Sequence, residues 1–298
     1  MPVTDILALG EPLIEMIRLP SQPDGSVLYK QGVGGDTLTA VVHAARAGAR
    51  VGYLSAVGDD ALGDEICAFC TAERIDTTHL LRRSNDPTGL NVIDPDPVAR
   101  RFSYARRGSA ASHYGVTDLP EDAIARAKVL HVSAVSQAVS PSMRAAVQKA
   151  AEIAQANGTQ VSYDLNLRLK LWSIDVARDC IRDFLPFADI VFPSDDEAAL
   201  LVGTTETDAL LDYFDSFGAK QVALKRGAAG TILSSHGKRF DISAPPVKAL
   251  DSTGAGDTFA GVFLAKLLET NDPVAAAHQA VKAAGRTVEH YGAIGWTA

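Results

Sequence analysis

Short apolar runs rich in β-branched residues alternate along this chain with stretches whose apolar positions recur at helical spacing. The runs at 5–10 (DILALG), 51–58 (VGYLSAVG), 129–135 (VLHVSAV), 160–166 (QVSYDLN), 189–194 (DIVFPS) and 221–227 (QVALKRG) are predicted strands. Between the first two, Leu38, Val41, Val42 and Ala45 fall at i, i+3, i+4 and i+7, which predicts a helix over 36–47 that Gly48 stops. A second helix is predicted over 142–156, ending at Asn157-Gly158. Strands alternating with helices give a mostly parallel sheet covered on both faces, a three-layer α/β/α arrangement.

Two stretches break that rhythm. Residues 12–32 and 86–107 are strand-like and turn-rich, without a helical period. The second, TGLNVIDPDPVARRFSYARRG, reads as a hairpin around Asp94-Pro95-Asp96-Pro97. Both are predicted to form a small separate sheet, a lid over one end of the main one. No internal repeat, low-complexity segment or long linker divides the chain, so residues 1–298 are read as one domain carrying that lid.

Ligands of an open α/β sheet bind outside the carboxyl ends of its strands. Here several predicted strands end in polar or glycine-rich groups: Gly34-Gly35-Asp36, Asp164 to Arg168, Ser194 to Glu197, Lys225 to Gly227 and Asp251 to Asp257. One such end is unremarkable. Five together predict a composite site.

Composition narrows what that site can serve. With 47% hydrophobic and 21% charged residues this is an ordinary globular composition. A net charge of −8 argues against nucleic acid or an anionic membrane surface as partner. Cys67 and Cys70 form a C-x-x-C pair inside an amphipathic helical pattern, with no second pair or histidine cluster nearby to make a zinc site. The first residues lack a basic segment followed by a long apolar run, and no stretch reaches transmembrane length, so the expected location is the cytoplasm.

The stretch DSTGAGDTFAG (251–261) admits two readings. It is either a strand-to-helix turn with an ordinary cap, or a phosphate cradle with the N–H groups of Ala255, Gly256 and Asp257 facing an anion. A Walker A loop, a GxGxxG after the first strand and the protein-kinase signatures do not occur in the chain. In phosphoryl transfer one acid takes the acceptor's proton while the protein positions and neutralises charge. Asp257 suits that part, with the helix N-terminus expected to keep it ionised.

These residues carry a resemblance. DSTGAGDTFAGVFLA is similar to the second signature of the ribokinase-like (PfkB) sugar kinases, and VGGDTLTAVVHAARAGARVGYLSAVGDDALGDEI is similar to their glycine-rich N-terminal region, with G-x-D-x-x-G at 58–63. VALKRGAAG resembles the strand and loop that border the nucleotide, and PSDDEAALL the N-x-x-E segment, with Ser194 where the family has Asn. The resemblance implies an ATP- and Mg²⁺-dependent kinase. Asp257 would be the base and Gly254, Ala255 and Gly256 the anion hole. Ser194 and Glu197 would serve the nucleotide, Glu197 reaching Mg²⁺ through water. Lys225, Gly227 and Gly230 would lie beside ATP. The plainer alternatives are that Glu197 is a first-turn helix acid and Lys225 a solvated strand end.

The acceptor is read from the arginines. Arg100, Arg101, Arg106 and Arg107 crowd the lid of an acidic chain, and charge on an edge strand often serves only to discourage aggregation. FSYARRGSAAS (102–112) and DLNLRLKLW (164–172), however, resemble two segments of the 2-keto-3-deoxygluconate kinases, as does GGDTL at 34–38. That resemblance implies that Gly34, Gly35, Asp36, Asn91, Tyr104, Arg106, Asn166 and Arg168 surround a sugar acid. Thr39 and Asn91 depart from the family pattern, which has Asn and Tyr there. Planar guanidinium groups pair a carboxylate with directional, charge-assisted bonds, whereas a neutral sugar would leave two desolvated arginines unpaired. Other hexonates, neutral sugars such as fructose or ribose, a non-catalytic sugar-acid sensor and an oxidoreductase are the alternatives. The absent dinucleotide fingerprint counts against the last. A small sheet has exposed edges and little core, so the lid is expected to pair with a second copy, making a homodimer.

Overall fold

The computed structural model describes residues 4–94 and 101–294. From the N-terminus the elements are β1 (Ile6–Leu9), β2 (Leu13–Arg18), β3 (Tyr29–Gly34), α1 (Asp36–Arg46), β4 (Val51–Gly58), α2 (Ala61–Ala72), β5 (Ile75–Asp76), β6 (Leu80–Arg83), β7 (Leu90–Asp94) and β8 (Arg101–Ala105). Then come α3 (Glu121–Arg126), β9 (Val129–Ser133), α4 (Ala134–Val139), α5 (Pro141–Asn157), β10 (Gln160–Asp164), α6 (Ile174–Phe184), β11 (Ile190–Phe192), α7 (Asp195–Val202) and α8 (Thr207–Asp215). The chain closes with β12 (Gln221–Lys225), β13 (Thr231–Ser235), β14 (Lys238–Ile242), α9 (Ala255–Thr270) and α10 (Pro273–Val288).

The main sheet runs β14-β13-β12-β11-β10-β9-β1-β4-β5, with β6 also beside β4. It is parallel from β12 to β5, and β13 and β14 add an antiparallel edge. Side chains alternate faces along a strand. On β1, Leu7 and Leu9 therefore join Val147, Ala150 and Phe184 on one side, while Ile6 and Ala8 join Leu38, Val42, Phe259 and Phe263 on the other. Helices thus cover both faces, as the alternation predicts. The strand predicted over 129–135 ends at Ser133, whose hydroxyl accepts the Ser136 N–H and starts α4. No described helix is long and apolar enough to cross a membrane.

The stretches 12–32 and 86–107 contain β2, β3, β7 and β8, which form a second sheet in the order β3-β2-β7-β8. In this sheet Glu15, Asn91 and Tyr104 stand directly opposite one another, which places them in a row on one face. The predicted turn at Pro95-Asp96-Pro97, together with Arg100, lies outside the described residues.

Candidate active site

A cavity of about 730 Å³ opens at the carboxyl ends of the parallel strands, under the second sheet. Glu11 follows β1, Val135 follows β9, Asp164 ends β10, Ser194 follows β11 and Lys225 ends β12, and all five line it. The second sheet contributes Leu13, Glu15, Asn91 and Tyr104, the turn before α9 contributes Ser252, Thr253 and Gly254, and the first turn of α9 contributes Gly256 and Asp257.

That turn is held from behind. Asp251 accepts the Thr253 N–H (2.9 Å) and hydroxyl (2.6 Å) and the Gly292 N–H (2.9 Å), joining the turn to the loop after α10. Gly254 caps α9 in the left-handed region, at φ 75°, and a Cβ there would strike Ala293. Only glycine meets both demands at low cost. The Ala255 N–H donates to the Ser252 carbonyl at 3.3 Å, so the expected cradle shrinks to the first-turn N–H groups of Gly256 and Asp257. A Cβ on Gly256 would lie 3.2 Å from the Lys225 ammonium, so the bare glycine lets that cation reach the turn.

Lys225 is no solvated strand end. Its Nζ donates to both oxygens of Asp164, at 2.9 and 3.1 Å, and its side chain is largely buried. Burial is the largest single influence on it and lowers its pKa, but the charges of Asp164 and Glu197 and the hydrogen bond to Asp164 together outweigh burial, so the pKa is raised and the lysine stays charged. Glu197 does act as a first-turn acid, reaching back to the Ser194 N–H at 3.4 Å. Its other oxygen accepts the Leu167 N–H at 2.7 Å, tying α7 to the loop after β10, and burial raises its pKa. Asn166, in the left-handed region at φ 30°, donates through Nδ2 to Asp257 Oδ1 at 3.1 Å. It therefore orients the proposed base.

Asp257 is not the freely ionised carboxylate expected from its helix position. Burial, followed by the charges of Asp164 and Asp36, pushes its pKa well above the ordinary carboxylate value, with Lys225 and Arg168 opposing. The helix N-terminus favours the anion, but two nearby carboxylates in a desolvated site outweigh it.

At the far end of the cavity Arg106 is buried, with its guanidinium 5.4 Å above the Tyr104 ring. Among the described residues it pairs with Glu11, through Nη2 and Oε2. The Asn91 carbonyl oxygen is buried without a hydrogen-bond partner. Asp36 accepts from the Ser133 hydroxyl, and Thr39 is buried beside it on α1. Arg168 differs from Arg106: its side chain is 51% exposed, it donates to its neighbour's carbonyl at 3.0 Å, and it lies 3.6 Å from Glu197.

Of the residues expected around the site, Gly34, Ala255 and Gly230 do not line the cavity. Gly34 makes room for the Glu15 side chain, and Gly230 sits at φ 91° where a Cβ would strike the Ile242 carbonyl, so it serves the turn from β12 to β13. Gly35, Asp36, Asn91, Tyr104, Arg106, Asn166, Arg168, Ser194, Glu197, Lys225, Gly227, Gly254, Gly256 and Asp257 all do. The sequence reading missed Glu11 and Glu15 and gave Asp164 no role beyond marking a strand end. The signal was available for Glu11, a lone acid at the carboxyl end of a wholly apolar strand.

The chain is similar to known proteins over nearly its whole length. The family profile described as "pfkB family carbohydrate kinase" matches residues 3–297. A 2-dehydro-3-deoxygluconokinase of Thermoproteus tenax is 31% identical over 289 residues, covering 95% of this chain and 88% of that protein. The 2-dehydro-3-deoxygluconokinase of Escherichia coli K12 is 30% identical, covering 97% and 96%. Among solved structures, an E. coli protein described as a ribokinase II, in complex with ATP and Mg²⁺, superposes with a TM-score of 0.91 at 26% identity, covering 99% and 96%.

Proposed function

The chain belongs to the pfkB family of carbohydrate kinases, and from that premise we propose that it phosphorylates the terminal hydroxyl of 2-keto-3-deoxy-D-gluconate with ATP, giving the 6-phosphate. The observation that carries the acid acceptor is Arg106: a buried guanidinium in the same cavity as Asp257, met by Glu11 at Nη2 and with Nε left without a hydrogen-bond partner. An acceptor carboxylate can supply the second arm of that fork.

In this reading the acceptor oxygen attacks the γ-phosphorus, the bond to the β–γ bridging oxygen breaks, and ADP leaves. Asp257 takes the hydroxyl proton. Its raised pKa makes it a stronger base than an ordinary carboxylate, and Asn166 fixes its orientation. The first-turn N–H groups of Gly256 and Asp257, with the Lys225 ammonium beside them, face the charge that develops on the transferring group. Asn91 Oδ1 is an acceptor for a sugar hydroxyl.

Among the described residues no cluster of three ligating side chains is present. Mg²⁺ with a nucleotide does not need one, since phosphate oxygens and water fill most of its shell and one or two carboxylates suffice. Glu197 fits that use, and the ion would neutralise phosphate charge. A need for ATP supports a cytoplasmic site of action. Val27, Leu28 and Tyr29, all more than 40% exposed at the β3 end of the second sheet, support pairing of two lids in a homodimer.

The test is an ADP-release screen over sugar acids and neutral sugars, with the product's phosphate position fixed by NMR. Highest kcat/KM for 2-keto-3-deoxygluconate is expected. Preference for another hexonate would move the substrate within its class, and preference for fructose or ribose would overturn the acid reading.

A further inference from the structure

The pair formed by Glu11 and Arg106 is unusual in its alignment. Glu11 is 2% exposed and Arg106 8%, and both line the cavity. Their charges meet through one arm of the guanidinium, Oε2 with Nη2, while Arg106 Nε has no hydrogen-bond partner. Buried ion pairs gain most when the fork of a guanidinium meets a carboxylate squarely. Here one arm of the fork meets the carboxylate and Nε is left unmatched.

Glu11 itself is firmly placed. Its Oε1 accepts the Ser109 hydroxyl at 3.1 Å, and a Cβ on Gly89 would come within 3.1 Å of the same oxygen. The cation is held on its other side by the Tyr104 ring. Resting on the acid-acceptor reading above, we propose that Glu11 is a specificity-determining residue, a resident carboxylate that holds Arg106 in the empty cavity and yields it to the better-aligned carboxylate of the substrate. A neutral sugar offers nothing to complete the exchange.

The exchange has a proton consequence. Burial pushes the Glu11 carboxyl up to about 7, with Arg106 and Ser109 opposing and the Asp36 charge on α1 adding to it. The other ionisable groups on its side of the cavity are Glu15 on β2, Tyr104 on β8 and the buried Tyr53 on β4, with Arg168 across the cavity. A second carboxylate at Arg106 raises the Glu11 pKa further, so substrate binding takes up a proton wherever Glu11 starts ionised. Affinity for the acid is then flat below pH ~7 and weakens by up to tenfold for each unit above it, because one proton is linked to binding.

The experiment is calorimetric titration of 2-keto-3-deoxygluconate into the whole enzyme at pH 6, 7 and 8.5, in buffers of differing ionisation enthalpy, with KM for the acid and for ATP measured alongside. Uptake approaching one proton at pH 8.5, a roughly tenfold rise in KM for the acid from pH 7 to 8.5, and a flat KM for ATP are expected. Glu11→Gln, which keeps the acceptor for Ser109 but loses the charge, should hold KM for the acid near its low-pH value throughout. No proton uptake by wild type, or a Glu11→Gln profile as steep as wild type, overturns the proposal. The wild-type titration needs no variant to fold. If wild type neither binds nor phosphorylates any sugar acid, the acceptor reading fails first and takes this proposal with it.

Discussion

Asp257→Asn separates the two readings of the glycine-rich turn, because they predict opposite effects on stability. The substitution keeps shape, and Asn166 Nδ2 can still donate to the retained oxygen it now meets at 3.1 Å. Only the proton acceptor is lost. If Asp257 is the base, kcat should fall ~10²–10⁴-fold, about 3–5 kcal/mol of barrier. The same change should stabilise the empty protein. Folding raises the pKa of Asp257, so the folded state binds that proton more tightly than the unfolded chain does. Stability is therefore lost as pH climbs from the unfolded value, near 4, towards the folded one, and the deficit stays in full above it. Each tenfold displacement of the proton equilibrium is worth ~1.4 kcal/mol, and ~1 kcal/mol moves Tm by ~2 °C in a chain of this size. The variant should thus melt higher than wild type at pH 8 and close to it at pH 4.5. A cap behaves otherwise: its loss costs ~0.5–2 kcal/mol. The assays are ADP release and thermal melting across pH without ligand. A variant that keeps more than about a tenth of kcat, or that melts lower at pH 8, refutes the base assignment.

Other perturbations probe the rest of the site. Asp164→Asn removes the largest neighbouring charge that raises Asp257 and frees Lys225 to oppose it, so the acid limb of the kcat–pH profile should move to lower pH. A limb that stays or moves up would contradict that electrostatic account. Arg106→Ala should weaken the sugar acid by ~2–5 kcal/mol, with kcat/KM as the measure and ATP little affected. Arg168→Ala should cost less, since its side chain is half-exposed, and equal losses would show that burial does not set the scale. Gly254→Ala forces a left-handed backbone on a residue with Cβ, costing ~1–2 kcal/mol before the collision with Ala293 is counted, and the urea midpoint should fall. An unchanged midpoint would deny that the turn is specified by its glycine.

Much of the architecture was legible because it rests on local rules. The alternation of apolar runs and helical periods marks the parallel sheet, and the aperiodic stretches mark the strands of the second sheet. Strand ends were less sharp: the run at 129–135 stays apolar through Val135, and only the capping hydroxyl of Ser133 shows where α4 begins. The antiparallel edge formed by β13 and β14 escaped notice, since its alternation is short and half polar. The site was legible where a motif carries it, at Gly254, Gly256, Asp257, Glu197 and Lys225. It was not legible where chain-distant groups meet. Glu11 and Arg106 are 95 positions apart in sequence, and their pairing follows from how the second sheet lies on the first. The raised pKa of Asp257 is likewise a tertiary property. A helix N-terminus can be read from sequence, but the nearness of Asp164 and Asp36 cannot.

The charges of the cavity pose a problem that the fold answers by placement. Its lining sets Arg106, Arg168 and Lys225 against Glu11, Glu15, Asp36, Asp164, Asp195, Asp196, Glu197 and Asp257, so the acids outnumber the bases before any ligand enters. A nucleotide triphosphate and a sugar acid would both arrive against that field. Yet Glu11, Asp36, Glu197 and Asp257 all have raised pKa values, which means that burial has already made part of the negative charge easy to neutralise with protons. In the proposed reading the cations stand where the anions would end up: Lys225 at the start of α9, Arg106 under the second sheet. Each is held by a carboxylate of the protein, Asp164 for one and Glu11 for the other. These two pairs differ in one respect that matters for binding. Asp164 holds Lys225 with two hydrogen bonds, whereas Glu11 meets Arg106 through one arm of its fork and leaves Nε free. On the proposed function, the cavity is held by two hydrogen bonds at the end proposed for phosphate transfer and by a one-armed contact at the end proposed for the acceptor carboxylate, the division of labour that an acid-selective sugar kinase requires.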